Sequence, residues 1–196
     1  MRSLVVFCVV VVMGFCQLAH AEQSQCVPAV WSSVQKLQPL YYRGPIVTLS
    51  RRSKNLTALT EAVCEAASET GIDPLIAISI ARRESSLLPF VGLGKKNGFR
   101  GERGYFQVMP DGYAENTFAP GDCSQHVPRC NAITAFRYMA FQRDRCEGGS
   151  DPWVWVEAYG TGSCHSPAKS RESANARLAR AFYCDIVPEC SESWPE

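Results

Sequence analysis

The stretch PLIAISIARRES, Pro74–Ser85, is apolar on nearly every side until Arg82 and then carries a carboxylic acid, Glu84. Two effects act on an acid in that place. Burial takes water away from the charged form. The negative end of the helix dipole also disfavours an anion. Both raise the pKa. A carboxylic acid that keeps its proton near neutral pH can donate it to the oxygen leaving a glycosidic bond. The plainer assignment for Glu84 is an ion pair with Arg82 or Arg83 at the helix end.

The flanking residues define the element that holds this acid. Asp73 is a good N-cap and Pro74 fits the first helical position. An all-round apolar helix belongs in a core, and Pro89 keeps it from running far past Leu87. Upstream, helical spacing begins at Asn55, with Leu56, Leu59, Val63 and Ala66 on one face and Gly71 as the stop. Downstream, Gly92–Gly104 reads as a glycine-rich, charged loop. Asn131 is the expected cap of a helix carrying Ile133, Phe136, Met139 and Ala140. Asp151-Pro152 opens WVWVEAYG, which Gly160 is expected to end. At least one of Trp153 and Trp155 belongs to the core, and either offers a ring for sugar stacking. Ser166-Pro167 is expected to open a last helix with Leu178 and Phe182 inward. Strand signals are weak throughout, so the fold class is mainly α in a single domain.

In the chain of 196 residues, Arg2 precedes a short apolar run that ends in Ala19-His20-Ala21. That pattern reads as a secretory signal peptide over residues 1–21; an uncleaved anchor is the alternative. Its removal leaves nineteen basic and nineteen acidic residues, so net charge directs the chain to no nucleic acid, and no second run is long enough to span a bilayer. The expected organisation is a signal peptide (1–21), an N-terminal extension (22–54) and a catalytic domain (55–196), read as a monomer that is secreted or periplasmic. Eight cysteines remain after residue 21. An even, high count in an exported chain implies a disulfide framework. Cys123–Cys130 and Cys184–Cys190 are near enough to close local loops, while the remaining connectivity is open. The rival is a zinc site at Cys123, His126 and Cys130, with Cys164 and His165 as further candidates, but the chain lacks a C-x-x-C pair and export favours oxidation.

Three blocks downstream bear on Glu84. They are Glu84-Ser85, then GYFQVMP from Gly104 to Pro110, then AYGTG from Ala158 to Gly162. In this order and spacing they resemble the lysozyme-like lytic transglycosylases of the soluble-transglycosylase type, whose motifs are Glu-Ser at a helix end, a Gly-Leu-Met-Gln-x-x-Pro-like stretch and Ala-Tyr-Asn-Ala-Gly. The likeness covers about half of the chain. The loop before Gln107 is longer than in that family and carries Lys95, Lys96, Arg100, Glu102 and Arg103. Gly160 stands where the family has Asn, and the N-terminal segment and the cysteines lie outside the pattern.

The resemblance implies a lysozyme-like, disulfide-stabilised domain whose cleft binds peptidoglycan glycan strands. Glu84 would protonate the oxygen between N-acetylmuramic acid and N-acetylglucosamine. As a carboxylate it would then take the proton from the muramic C6 hydroxyl, which closes onto C1 as a 1,6-anhydro end. Ser85 would bond near the catalytic carboxyl or the acetamido group. Tyr105, Gln107, Met109 and Tyr159 would bind substrate. This chemistry needs neither metal nor organic cofactor. Goose-type lysozymes, of the same architecture, imply a hydrolase in which Glu102 or Asp111 holds water opposite Glu84. A third reading is a secreted glycan-binding module without turnover.

Overall fold

The computed structural model describes residues 25–37, 46–92, 98–146, 151–164 and 174–190. The expected signal peptide, Lys95, Lys96, His165, Ser166 and Pro167 lie outside these. The described residues form helices α1 (25–37), α2 (Ile46–Thr70), α3 (Pro74–Ser85), α4 (Pro89–Gly92), α5 (Tyr113–Phe118), α6 (Pro128–Arg145), α7 (Pro152–Thr161) and α8 (Ala174–Ile186). No named strand occurs among them, and one isolated bridge pairs Arg103 with Val108. The fold is mainly helical.

α3 lies in the core. Every residue from Ile76 to Ala81 is buried, as the all-round apolar sequence predicts. Asp73 Oδ1 accepts from the Leu75 N–H at 2.7 Å, which satisfies one of the orphan donors of the first turn. α2 packs along α6, and α3 packs on α8 and on α2. Phe106 from the loop before α5 meets Phe136 of α6 edge-on at 5.9 Å, inside the same core.

Several sequence expectations change. α2 begins at Ile46, so the change of pattern at Asn55 falls inside a helix. α1 puts Val30, Val34 and Leu37 into the core shared by α2 and α3. α6 begins at Pro128, so Asn131 is not its cap but a fully buried residue of the first turn. α7 passes Gly160 and ends on Gly162, whose φ is 76°. On α8, Leu178 is 49% exposed, while Ala176, Ala179 and Ile186 are buried. Apolar spacing misplaces Leu178 because the small Ala176 and Ala179 take the buried positions of this turn, while Phe182 lies under the Arg82 guanidinium of α3.

Four disulfides staple the helices: Cys26–Cys64, Cys123–Cys130, Cys146–Cys164 and Cys184–Cys190. The first ties α1 to α2. Cys123 and Cys130 are bonded to one another, which removes the two thiols that the zinc alternative needs. No helix among the described residues is long and apolar enough to cross a membrane.

Candidate active site

Glu84 stands in the last turn of α3, with 17% of its side chain exposed. The helix stops immediately after it. Ser86 and Leu87 both take left-handed backbone angles (φ 54° and 53°), and the Ser86 N–H closes the turn onto the Arg82 carbonyl at 2.9 Å. The two other non-glycine residues with positive φ among the described residues are Gln107 (49°) and Asp111 (53°). Each such conformation costs on the order of 1–3 kcal/mol and persists where surrounding structure imposes it. All four sit in the turns that follow Glu84 or frame the groove in front of it.

That groove has a volume of about 600 Å³, and Glu84 lines it together with Gln107, Met109 and Tyr159. Residues of all three sequence blocks therefore line one groove. Ser85 and Tyr105 do not line the groove. Ser85 is buried: its hydroxyl donates to the Ala81 carbonyl at 2.8 Å and accepts the Leu87 N–H at 3.3 Å, so it finishes the helix. Tyr105 is fully buried and its ring packs against Gly92, where a side chain would collide with it. The spacing of one residue between Tyr105 and Gln107 puts the first in the core and the second at the surface. Trp153 and Trp155 are both buried on α7 and offer no ring to the groove. Asp111 is exposed and lies outside the groove's lining, whereas Glu102 belongs to it.

The wall that carries Gln107 is built by a buried amide. Asn131 Oδ1 accepts from the Phe106 N–H at 2.9 Å, and its Nδ2 donates to the Arg103 carbonyl at 3.0 Å. Gly104, at φ 74°, lies so close to this amide that any Cβ would strike it. The Arg103 and Val108 backbones pair in both directions across the turn, at 2.8 and 2.9 Å. Gln107 Nε2 donates to the Gly104 carbonyl at 2.7 Å. Tyr159 reaches over from α7 and donates its hydroxyl to the Phe106 carbonyl at 2.8 Å. Its pKa is pushed well above the usual tyrosine value, first by burial and then by the negative charge of Glu84. That hydroxyl stays a donor.

The acid itself is held between opposing influences. Arg83 donates one arm of its guanidinium to Glu84 Oε1 and the other to Asn175 Oδ1 on α8. Neighbouring residues on a helix do not face one another, so Arg83 must bend to reach Glu84, and Asn175 supplies its second anchor. Burial raises the pKa of Glu84, Arg83 opposes it, and the carboxylate of Glu102 adds to the rise. Burial prevails, and the pKa lies above the ordinary glutamate value. Asn175 is fixed in turn, because the next residue's N–H donates to the buried Glu157 of α7 at 3.3 Å.

Sequence reasoning missed Asn175, Tyr113 and Tyr138, all of which line the groove. Asn175 belongs to a helix far along the chain and outside the three blocks. Tyr138 sits between the buried Phe136 and Met139 with nothing in its spacing to set it apart. Comparison with protein-family models, with curated proteins and with solved structures returns no match.

Proposed function

We propose that the chain is an exported lytic transglycosylase that cleaves the β-1,4 bond between N-acetylmuramic acid and N-acetylglucosamine in peptidoglycan. One observation carries this reading. Glu84, an acid with a raised pKa, opens onto a groove that Gln107, Met109 and Tyr159 also line, so three separated motifs converge on the group that must move a proton. Glu84 donates its proton to the departing oxygen. The resulting carboxylate, still paired with Arg83, takes the proton of the C6 hydroxyl as that oxygen attacks C1. Arg83 leaves the acid's second oxygen free for both transfers. The four disulfides fit an oxidising compartment, either outside the cell or in a periplasm.

A second reading has its own support: Glu102 lines the same groove, and its charge acts on Glu84. A carboxylate that holds water opposite the acid makes an inverting hydrolase when the two carboxyls stand about 6.5–9.5 Å apart. Purified sacculi incubated with the mature protein separate the two by product mass. Anhydro ends, one water lighter, are the expected result. Hydrated ends assign the hydrolase, and absence of any release sinks both enzymatic readings.

A further inference from the structure

Part of the groove's lining is aromatic. Tyr159 and Tyr138 stand with ring centroids 5.5 Å apart, and Tyr113 is 6.4 Å from Tyr138. All three line the groove. Phe118 and Phe141 back them, at 5.8 and 5.5 Å from the Tyr113 ring. Most of this cluster is half-buried, yet Tyr113 at its rim is 57% exposed. Tyr113 is placed by Gly112, the N-cap of the short α5, which also lines the groove.

We propose that Tyr113 and Tyr138 form a stacking shelf for pyranose rings of the glycan, continuing from the bond that Glu84 cleaves. This rests on the reading of the groove as a glycan cleft and names the side on which the chain is gripped. Aromatic faces take the C–H face of a ring-shaped ligand. The same lining carries Arg83, Arg100, Glu84 and Glu102. A wholly apolar ligand would strip water from those groups without replacing their hydrogen bonds, which is costly. A sugar ring satisfies both demands, because it offers an apolar face to the tyrosines and hydroxyls to the charged side chains. The Tyr159 hydroxyl is occupied by the Phe106 carbonyl, so that residue acts as the inner edge of the shelf and Tyr113 as its open end.

The test is calorimetric titration of a β-1,4-linked oligomer of N-acetylglucosamine into the Glu84→Gln protein, with and without Tyr113→Ala or Tyr113→Trp. If a ring contact to the sugar matches an aromatic pair, about 0.5–1.5 kcal/mol, Tyr113→Ala should weaken binding about 2- to 12-fold and Tyr113→Trp should restore it. Tyr113 is at the surface, and an unchanged circular dichroism spectrum confirms that the variants fold. Equal affinity for Tyr113→Ala and its parent overturns the shelf, even if the wild-type protein cleaves sacculi. Tyr113-dependent binding in a protein that cleaves nothing leaves the shelf standing and removes the enzymatic reading. No binding of the oligomer at all overturns the shelf and argues against the cleft.

Discussion

The side-chain amide of Asn175 occupies the space that a Cβ on Gly160 would need, with Asn175 Nδ2 only 2.6 Å from that point. The same amide anchors Arg83, which pairs with Glu84. Gly160→Ala should therefore move Asn175 and loosen the hold on the acid. Gly160 is exposed and lies within α7, where alanine is favoured over glycine by roughly 0.5–1 kcal/mol. The expected outcome is a drop in turnover on the order of 10- to 100-fold, with a denaturation midpoint equal to or above that of the wild-type protein. A variant that keeps full activity would show that Asn175 has no part in placing Glu84.

Asn131 is a purely architectural counterpart. It satisfies the Phe106 N–H and the Arg103 carbonyl from inside the core. Asn131→Ala leaves the buried Phe106 N–H without that partner, at about 1–3 kcal/mol, while the Arg103 carbonyl keeps the Val108 N–H. Urea denaturation should show a loss of about 1–3 kcal/mol. Any protein that remains folded should have lost the fixed position of Gln107. A loss below 1 kcal/mol would mean that the turn from Arg103 to Val108 stands on its own backbone pairing.

The contrast between these two amides shows what the sequence could disclose. The N-caps at Asp73 and Asp151 act within two residues, so local spacing reveals them. The burial of α3 follows from six apolar or small residues in a row. Asn131 and Asn175 act across 25 and 92 residues, on Phe106 and Arg83, and no local rule connects such partners. Glu84, Gln107, Met109 and Tyr159 were legible through the order of the motifs. The split between Tyr105 and Gln107 was not, because a loop has no period that says which of two nearby side chains turns inward.

The two candidate second carboxylates make opposite predictions. Asp111 is exposed, outside the groove and in a left-handed conformation, so Asp111→Gly should leave turnover intact and alter stability by no more than about 1 kcal/mol. Glu102→Gln removes a charge that raises the Glu84 pKa. Under the transglycosylase mechanism it should keep anhydro products and move the alkaline limb of the pH–rate profile to lower pH. Abolished turnover in Glu102→Gln would give that carboxylate a direct chemical role and favour the hydrolase.

Glu84→Gln should abolish release from sacculi while binding persists, and the same variant reports on the acid's environment without any substrate. The folded protein holds the Glu84 proton to a higher pH than the unfolded chain, whose value stays near the ordinary 4.5. Between the two values the native state binds more protons, so the contribution of Glu84 to stability is fully present below the unfolded pKa and is lost as pH rises through the folded one. Glutamine does not titrate. The stability of Glu84→Gln relative to wild type should therefore rise with pH across this window and level off above it. Urea midpoints measured from acid to neutral pH would display that slope. A difference that stays flat, or that falls as pH rises, would mean that Arg83 outweighs burial and that the acid gives up its proton too early for the proposed first step.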